Sequence, residues 1–200
     1  LVVFLIGTNL FAPGLHELRL HNGTIYRWNR PIYDVADGKP HLRVENRVLA
    51  AGPTVVDTMA NAAFYFGVVR ALAEHERPLW SQMSFSAAEE NFHVAARHGI
   101  EAQVYWPGIG QVSAVELTLR RLLPMAREGL DRWGVDAGER DRLLDIIEAR
   151  CNAGQNGSSW FRAGVRSRES DVRDRREAIR ETLLEYRMRM HSNAPVHTWS

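Results

Sequence analysis

The feature that most constrains this chain is a change of hydrophobic period near residue 50. Strand residues alternate between two faces, whereas helical ones return to one face every three or four positions. Before the change, Glu17-Leu18-Arg19-Leu20-His21 and Thr24-Ile25-Tyr26-Arg27-Trp28 flank Asn22-Gly23. Asn-Gly between alternating runs predicts a hairpin, because both turn positions need positive φ. That pairing sets Leu20 opposite Ile25 and Leu18 opposite Arg27. A loop rich in Pro, Asp and Gly is expected over 30–40, then a third strand over 41–49. After the change, Val55, Met59, Ala62, Phe66, Val69 and Ala73 recur at helical spacing, with Thr54 as N-cap and Asp57 three residues on.

Further helices follow from capping signals. Ser86 with Glu89, and Ser113 with Glu116, match the capping box, and Gly99 and Gly134 mark ends. Residues 101–106 suggest a strand or an extended link. Leu119, Leu122, Leu123, Ala126, Leu130 and Trp133 share a helix side that Pro124 should kink or divide. A short helix is expected over 141–150, a Gly/Asn/Ser loop over 153–159 and a charged helix over 171–191. Strands first and helices after predict an α+β class: one domain over 1–200, its antiparallel sheet (about 16–49) covered on one face by helices (about 54–191).

Composition narrows the class. A 45% hydrophobic content supports a real core and excludes disorder as the main state, and the formal net charge of +1 argues against a polyanion-binding tail. One cysteine, Cys151, excludes a disulfide framework or a cysteine-rich zinc site and fits a reducing, cytoplasmic compartment. The opening run Leu1-Val2-Val3-Phe4-Leu5-Ile6 is too short for a membrane span and lacks the flanks of a signal peptide, so the chain is expected to be the interior of a longer protein. Of 25 basic residues, Lys39 alone is a lysine. A GC-rich genome explains most of that excess; a subset of arginines suits phosphate or carboxylate.

The third strand concentrates the chemistry. Leu42, Val44 and Val48 point one way and are expected in the core. His41, Arg43, Glu45 and Arg47 point the other. Such a row is either a solvated ion-paired face or a site for an anion and a metal. Glutamate is a hard oxygen ligand suited to Mg²⁺, and arginine forks suit anionic oxygens.

Three segments carry a resemblance. Tyr26-Arg27-Trp28-Asn29-Arg30-Pro31, Arg43-Val44-Glu45-Asn46-Arg47-Val48 and Gly52-Pro53-Thr54-Val55-Val56-Asp57, with Asn61-Ala62-Ala63-Phe64, resemble the glutamate–cysteine ligase family. The nearest branch is the bacterial carboxylate–amine ligases of the second type. Asn91, Ala95, Arg97, Gly99 and Ala102 resemble a later family pattern, as does Asn156-Gly157-Ser158. The likeness runs from about residue 21 to 199.

The resemblance implies a fold like that of glutamine synthetase and the guanidino kinases, with the active site on a concave sheet face. It implies ATP and Mg²⁺ as cofactors, and glutamate with cysteine or another small amine as substrates. Glutamate's γ-carboxylate would be phosphorylated and the acyl phosphate attacked by the amine. By the same resemblance Glu45 would ligate the metal, while Arg47 and Arg30 would hold phosphate or carboxylate. Arg43, Asn91 and Arg97 are further candidates for substrate or ATP binding. The family's paired metal-binding glutamates sit on an earlier strand, so an N-terminal half is the expected partner.

Other features have plainer readings. His93 with Glu89 lacks a third ligand for a metal, and Cys151 is expected to be a small core residue. Arginines after Arg162 would suit nucleic acid, yet acids interleave with them, as in Asp171 to Arg175 and Glu185 to Arg189, which favours a paired, solvated face.

Overall fold

A computed structural model describes residues 3–4, 15–24, 29–171 and 174–200. It is an α+β fold with two small antiparallel sheets, and it divides into two compact units, Leu1–Leu49 and Ala50–Ser200.

In the first unit, β1 (Val3–Phe4), β2 (Asn29–Ala36) and β3 (Lys39–Asn46) form a sheet in the order β1-β3-β2. The hairpin lies one segment later than Asn22-Gly23 predicts. β2 and β3 join through Asp37-Gly38, whose φ values of 52° and 74° are those of a two-residue primed turn. Asp-Gly carries the same signal as Asn-Gly, and the segment expected as a loop is therefore strand β2. Residues 17–21 belong instead to α1 (His16–Thr24). Its short polar sequence satisfies either period. Glu17 in the first turn and His21 in the last suit the helix dipole, and Asn22-Gly23 fall where helices end. The predicted strand partner, residues 25–28, lies outside the described residues.

The second unit is mostly helical. α2 (Val55–Ala73) starts as expected: the Thr54 hydroxyl accepts from the Asp57 N–H at 3.1 Å. α3 (Phe85–His98) ends at Gly99, but its cap is Ser84, two residues before the predicted Ser86. β4 (Gln103–Trp106) pairs with β5 (Gly110–Ser113). Ser113 caps α4 (Ala114–Leu117), and a π-turn over Thr118–Leu122 leads into α5 (Leu123–Arg132). Pro124 thus does divide the helix: it sits in the first turn of α5, where a missing N–H costs least. α6 (Ala137–Ala153) is longer than predicted and α7 (Gly157–Asp171) is a helix the sequence reading does not predict, leaving a three-residue link where a loop over 153–159 was expected. Asp136 caps α6 through the Glu139 N–H, and the Asn156 side chain accepts from the Ser159 N–H. α8 (Arg175–Ser192) starts at the Asp174 cap, not at 171.

Which face of α2 is buried also departs from expectation. The predicted stripe is turned outward, with Val55 72% and Met59 50% exposed, while Asp57, Ala60, Gly67 and Ala71 are buried. Both stripes have helical spacing, so period cannot choose between them. Proximity does. α2 and α5 cross so closely that a Cβ on Gly67 would lie 2.3 Å from the Ala126 carbonyl oxygen, and one on Gly129 would lie 1.9 Å from that of Gly67. Only the small-residue stripe fits there. Around the crossing, Leu130, Leu143, Leu144 and Ile147 complete the main core.

Ordinarily Gly→Ala inside a helix stabilises by about 1 kcal/mol. Here the new methyl meets backbone, which cannot rotate away. Gly67→Ala and Gly129→Ala should each lose roughly 1–3 kcal/mol in denaturant unfolding. An unchanged or raised midpoint would show that the crossing tolerates a side chain.

Candidate active site

The predicted charged face forms, and β2 doubles it. The register sets Arg30 opposite Glu45, Ile32 opposite Arg43 and Asp34 opposite His41. Side chains of directly opposed residues share a face, so Arg30, Asp34, His41, Arg43 and Glu45 are together. The opposite face is less buried than expected: Val44 is 51% and Val48 39% exposed, and Tyr33 is its buried residue. A two-strand ribbon with β1 on one edge offers little apolar cover.

Glu45 is the hub. Arg30 Nε and Arg47 Nη2 both donate to its Oε2, the latter at 2.9 Å. Partial burial alone would raise the Glu45 pKa, but the hydrogen bonds from Arg30 and Arg47 outweigh it and hold the carboxyl below its ordinary value. Beside this trio, Arg43 reaches Asp34 at 3.5 Å and lies 2.8 Å from His41 Nε2. The Val35 N–H donates to Asp34 at 2.8 Å, and chiefly through that bond, with help from Arg43, Asp34 too stays ionised below the usual range.

Asn91 and Arg97 lie in the other unit. The Asn91 amide bonds the backbone of Tyr105 in both directions, each at 2.7 Å, and so docks α3 onto β4 as an extra strand residue would. Both ends of this amide are thus committed to structure. Arg97 is exposed in the last turn of α3. Cys151 is half-buried, and burial raises its thiol pKa, which suits a packing residue.

For a metal, Glu45 supplies one hard carboxylate. Mg²⁺ is commonly held by one or two carboxylates together with substrate phosphates, so Glu45 fits as one such ligand. Among the described residues, no three His, Cys, Asp or Glu side chains gather into a metal-holding group.

A second polar cluster escaped the sequence reading except as a helix cap. Asp57, with no exposed surface, accepts from the Thr54 hydroxyl at 2.7 Å, from Arg150 at 2.9 Å and from the Val196 N–H at 3.1 Å. Arg150 also donates to Asn61 at 2.6 Å. Beside it a cavity of about 320 Å³ is bordered by Asn61, Arg150, Asn156, Ser158 and Tyr186. Burial, and then the Asp57 charge, raise the Tyr186 pKa, keeping the phenol protonated. The available signal was a carboxylate inside an otherwise apolar helix start.

Four arginines of α7 and α8 are held by glutamates. Arg168 and Arg189 (2.7 Å) bind Glu185, Arg180 binds Glu177 at 2.6 Å, and Arg175 pairs with Glu169; the Asp171 side chain of the expected Asp171–Arg175 pair lies outside the described residues. No protein-family profile, curated protein or solved structure matches the chain. Among the described residues, no helix is long and apolar enough to cross a membrane.

Two tests follow from this geometry. With its folded-state pKa depressed, Glu45 contributes stability above its unfolded pKa and loses it as pH falls through the folded value. Carboxyl NMR should find Glu45 titrating at lower pH than in Arg30→Ala/Arg47→Ala; identical titration would remove the trio. Arg150→Met, which strands the Asp57 charge, should cost about 3–5 kcal/mol. A loss under 1 kcal/mol would mean water reaches Asp57.

Proposed function

We propose that the protein is an ATP-dependent carboxylate–amine ligase of the glutamate–cysteine ligase type, with a glutamine synthetase-like sheet carrying the active site. The observation that carries this reading is the convergence of Arg30, Glu45 and Arg47. They come from two motifs separated in sequence: β2–β3 pairing sets Arg30 opposite Glu45, and Arg47, just past β3, meets the same carboxylate oxygen. The reaction transfers the terminal phosphoryl of ATP to the γ-carboxylate of glutamate. Cysteine's amine then displaces phosphate, giving γ-glutamylcysteine, ADP and phosphate.

Each residue has a role in this reading. Glu45 is one ligand of the Mg²⁺ that accompanies ATP; bound metal would offset charge on the phosphates. Arg30 and Arg47 hold anionic oxygens. A guanidinium has five N–H donors, so a bond to Glu45 is compatible with a second acceptor. Arg43 extends the cationic row. Further carboxylates are required from an N-terminal half, and the use of ATP together with a lone thiol supports a cytoplasmic location. An amine other than cysteine is the alternative acceptor, because nothing in the charged trio selects the nucleophile. Asn91 acts in this reading as support for the second unit, and Arg97 stays a candidate for substrate or ATP binding.

The full-length protein should release ADP only when glutamate and an amine are both supplied. Glu45→Gln and Arg47→Ala should each lower turnover by roughly 100-fold, the scale for removing a preorganised charge contact. ADP release independent of glutamate would overturn the reaction. Unchanged turnover in both variants would overturn the site.

A further inference from the structure

A cavity of about 790 Å³ belongs to the second unit and is bordered by none of the residues discussed above as catalytic candidates. Its walls are the end of α2 with the segment that follows it, the β4–β5 turn, and the π-turn with the start of α5. Its volume falls within the range of about 300–1,000 Å³ typical of small-molecule sites. Leu72, Leu79, Trp106, Ile109 and Met125 give an otherwise polar lining its apolar part.

Its charge is arranged unevenly. Four arginines line the cavity, and two are committed: Arg120 to Glu116 at 2.8 Å, and Arg132 to Glu74 at 3.0 Å and to Glu128. Those two glutamates raise the Arg132 pKa further. Arg77 and Arg121 have no carboxylate partner among the described residues. Glu76 is the one lining acid that no arginine holds. Each arginine sits on a held stretch of backbone. The Arg77 backbone is pinned by the His75 ring, 3.1 Å from its N–H, and by the Gln82 amide, 2.8 Å from its carbonyl. Arg121 rides on the π-turn, a distortion that recurs at functional sites. Two guanidiniums without a carboxylate partner, bordering one cavity with a tryptophan, suit one anionic group attached to a flat ring.

We propose that this cavity binds a planar aromatic anion of nucleoside-monophosphate size, its ring against Trp106 and Met125 and its phosphate on Arg77 and Arg121. The inference is independent of the ligase reading, and the experiment separates the two. Titration calorimetry is performed on the Arg47→Ala protein, which removes a key cation of the sheet face, with AMP, adenosine and inorganic phosphate as probes. AMP should bind more tightly than either half. Arg77→Ala and Arg121→Ala, both at exposed positions that leave the core intact, should each weaken AMP by roughly tenfold, the scale of a charge-assisted hydrogen bond. Glu76→Gln should tighten it. The proposal fails if AMP gives no binding at millimolar concentration, if phosphate alone binds as well as AMP, or if both arginine variants bind AMP as the parent does.

Discussion

The second unit depends on one buried charge. Asp57 has no contact with solvent, and an ion in that position is tolerated only when its oxygens are well supplied with donors. Thr54, Arg150 and the Val196 N–H supply them. These donors come from the start of α2, the end of α6 and the last turn of the chain. One carboxylate therefore fixes three segments, two of them more than 90 residues from it. Val196 is itself fully buried against Trp160 and Trp199, whose rings meet edge to face at 5.3 Å. Gln155 closes the same corner by donating to the carbonyls of Val196 and Trp199.

That node also sets how α2 is rotated. With Asp57 turned inward, residues three, ten and fourteen positions on (Ala60, Gly67 and Ala71) follow on the same side and form the contact with α5. The Gly67–Gly129 approach is possible only because no side chain stands there. Two restraints of different kinds, a polar one at the helix start and a steric one at its middle, thus select the same face. The larger residues Val55, Met59 and Phe66 are left outside as a consequence.

What the sequence made legible follows from this. Caps at Thr54 and Ser113, the stop at Gly99 and the division at Pro124 were readable because each depends on local chemistry alone. The charged row on β3 was readable because alternation is local too. Three things were not. Asn-Gly and Asp-Gly carry one signal, and only pairing with a suitable partner strand decides which is the hairpin. The two stripes of α2 have one period, and only the approach of α5 decides which is buried. The partners of Asp57 lie 93 and 139 residues away, and no spacing rule reports such distances. Asn91 shows the converse limit. Its motif suggested a ligand contact, while its amide completes the edge of β4.

The two arginine–carboxylate centres differ in a way that bears on function. Arg150 is 12% exposed and Asp57 not at all, so separating them would strand a charge in the interior. That pair is fixed. Glu45, Arg30 and Arg47 are between about a fifth and a third exposed, and ion pairs that water can reach are worth about 0–1 kcal/mol. Breaking an Arg–Glu45 pair therefore costs little beside breaking the Arg150–Asp57 pair. The face also carries more guanidiniums than carboxylates: Arg30, Arg43 and Arg47 against Asp34 and Glu45. That surplus, with the trio's exposure, suits the receipt of phosphate or carboxylate oxygens in the ligase reading proposed above, a role the fixed buried pair does not suit.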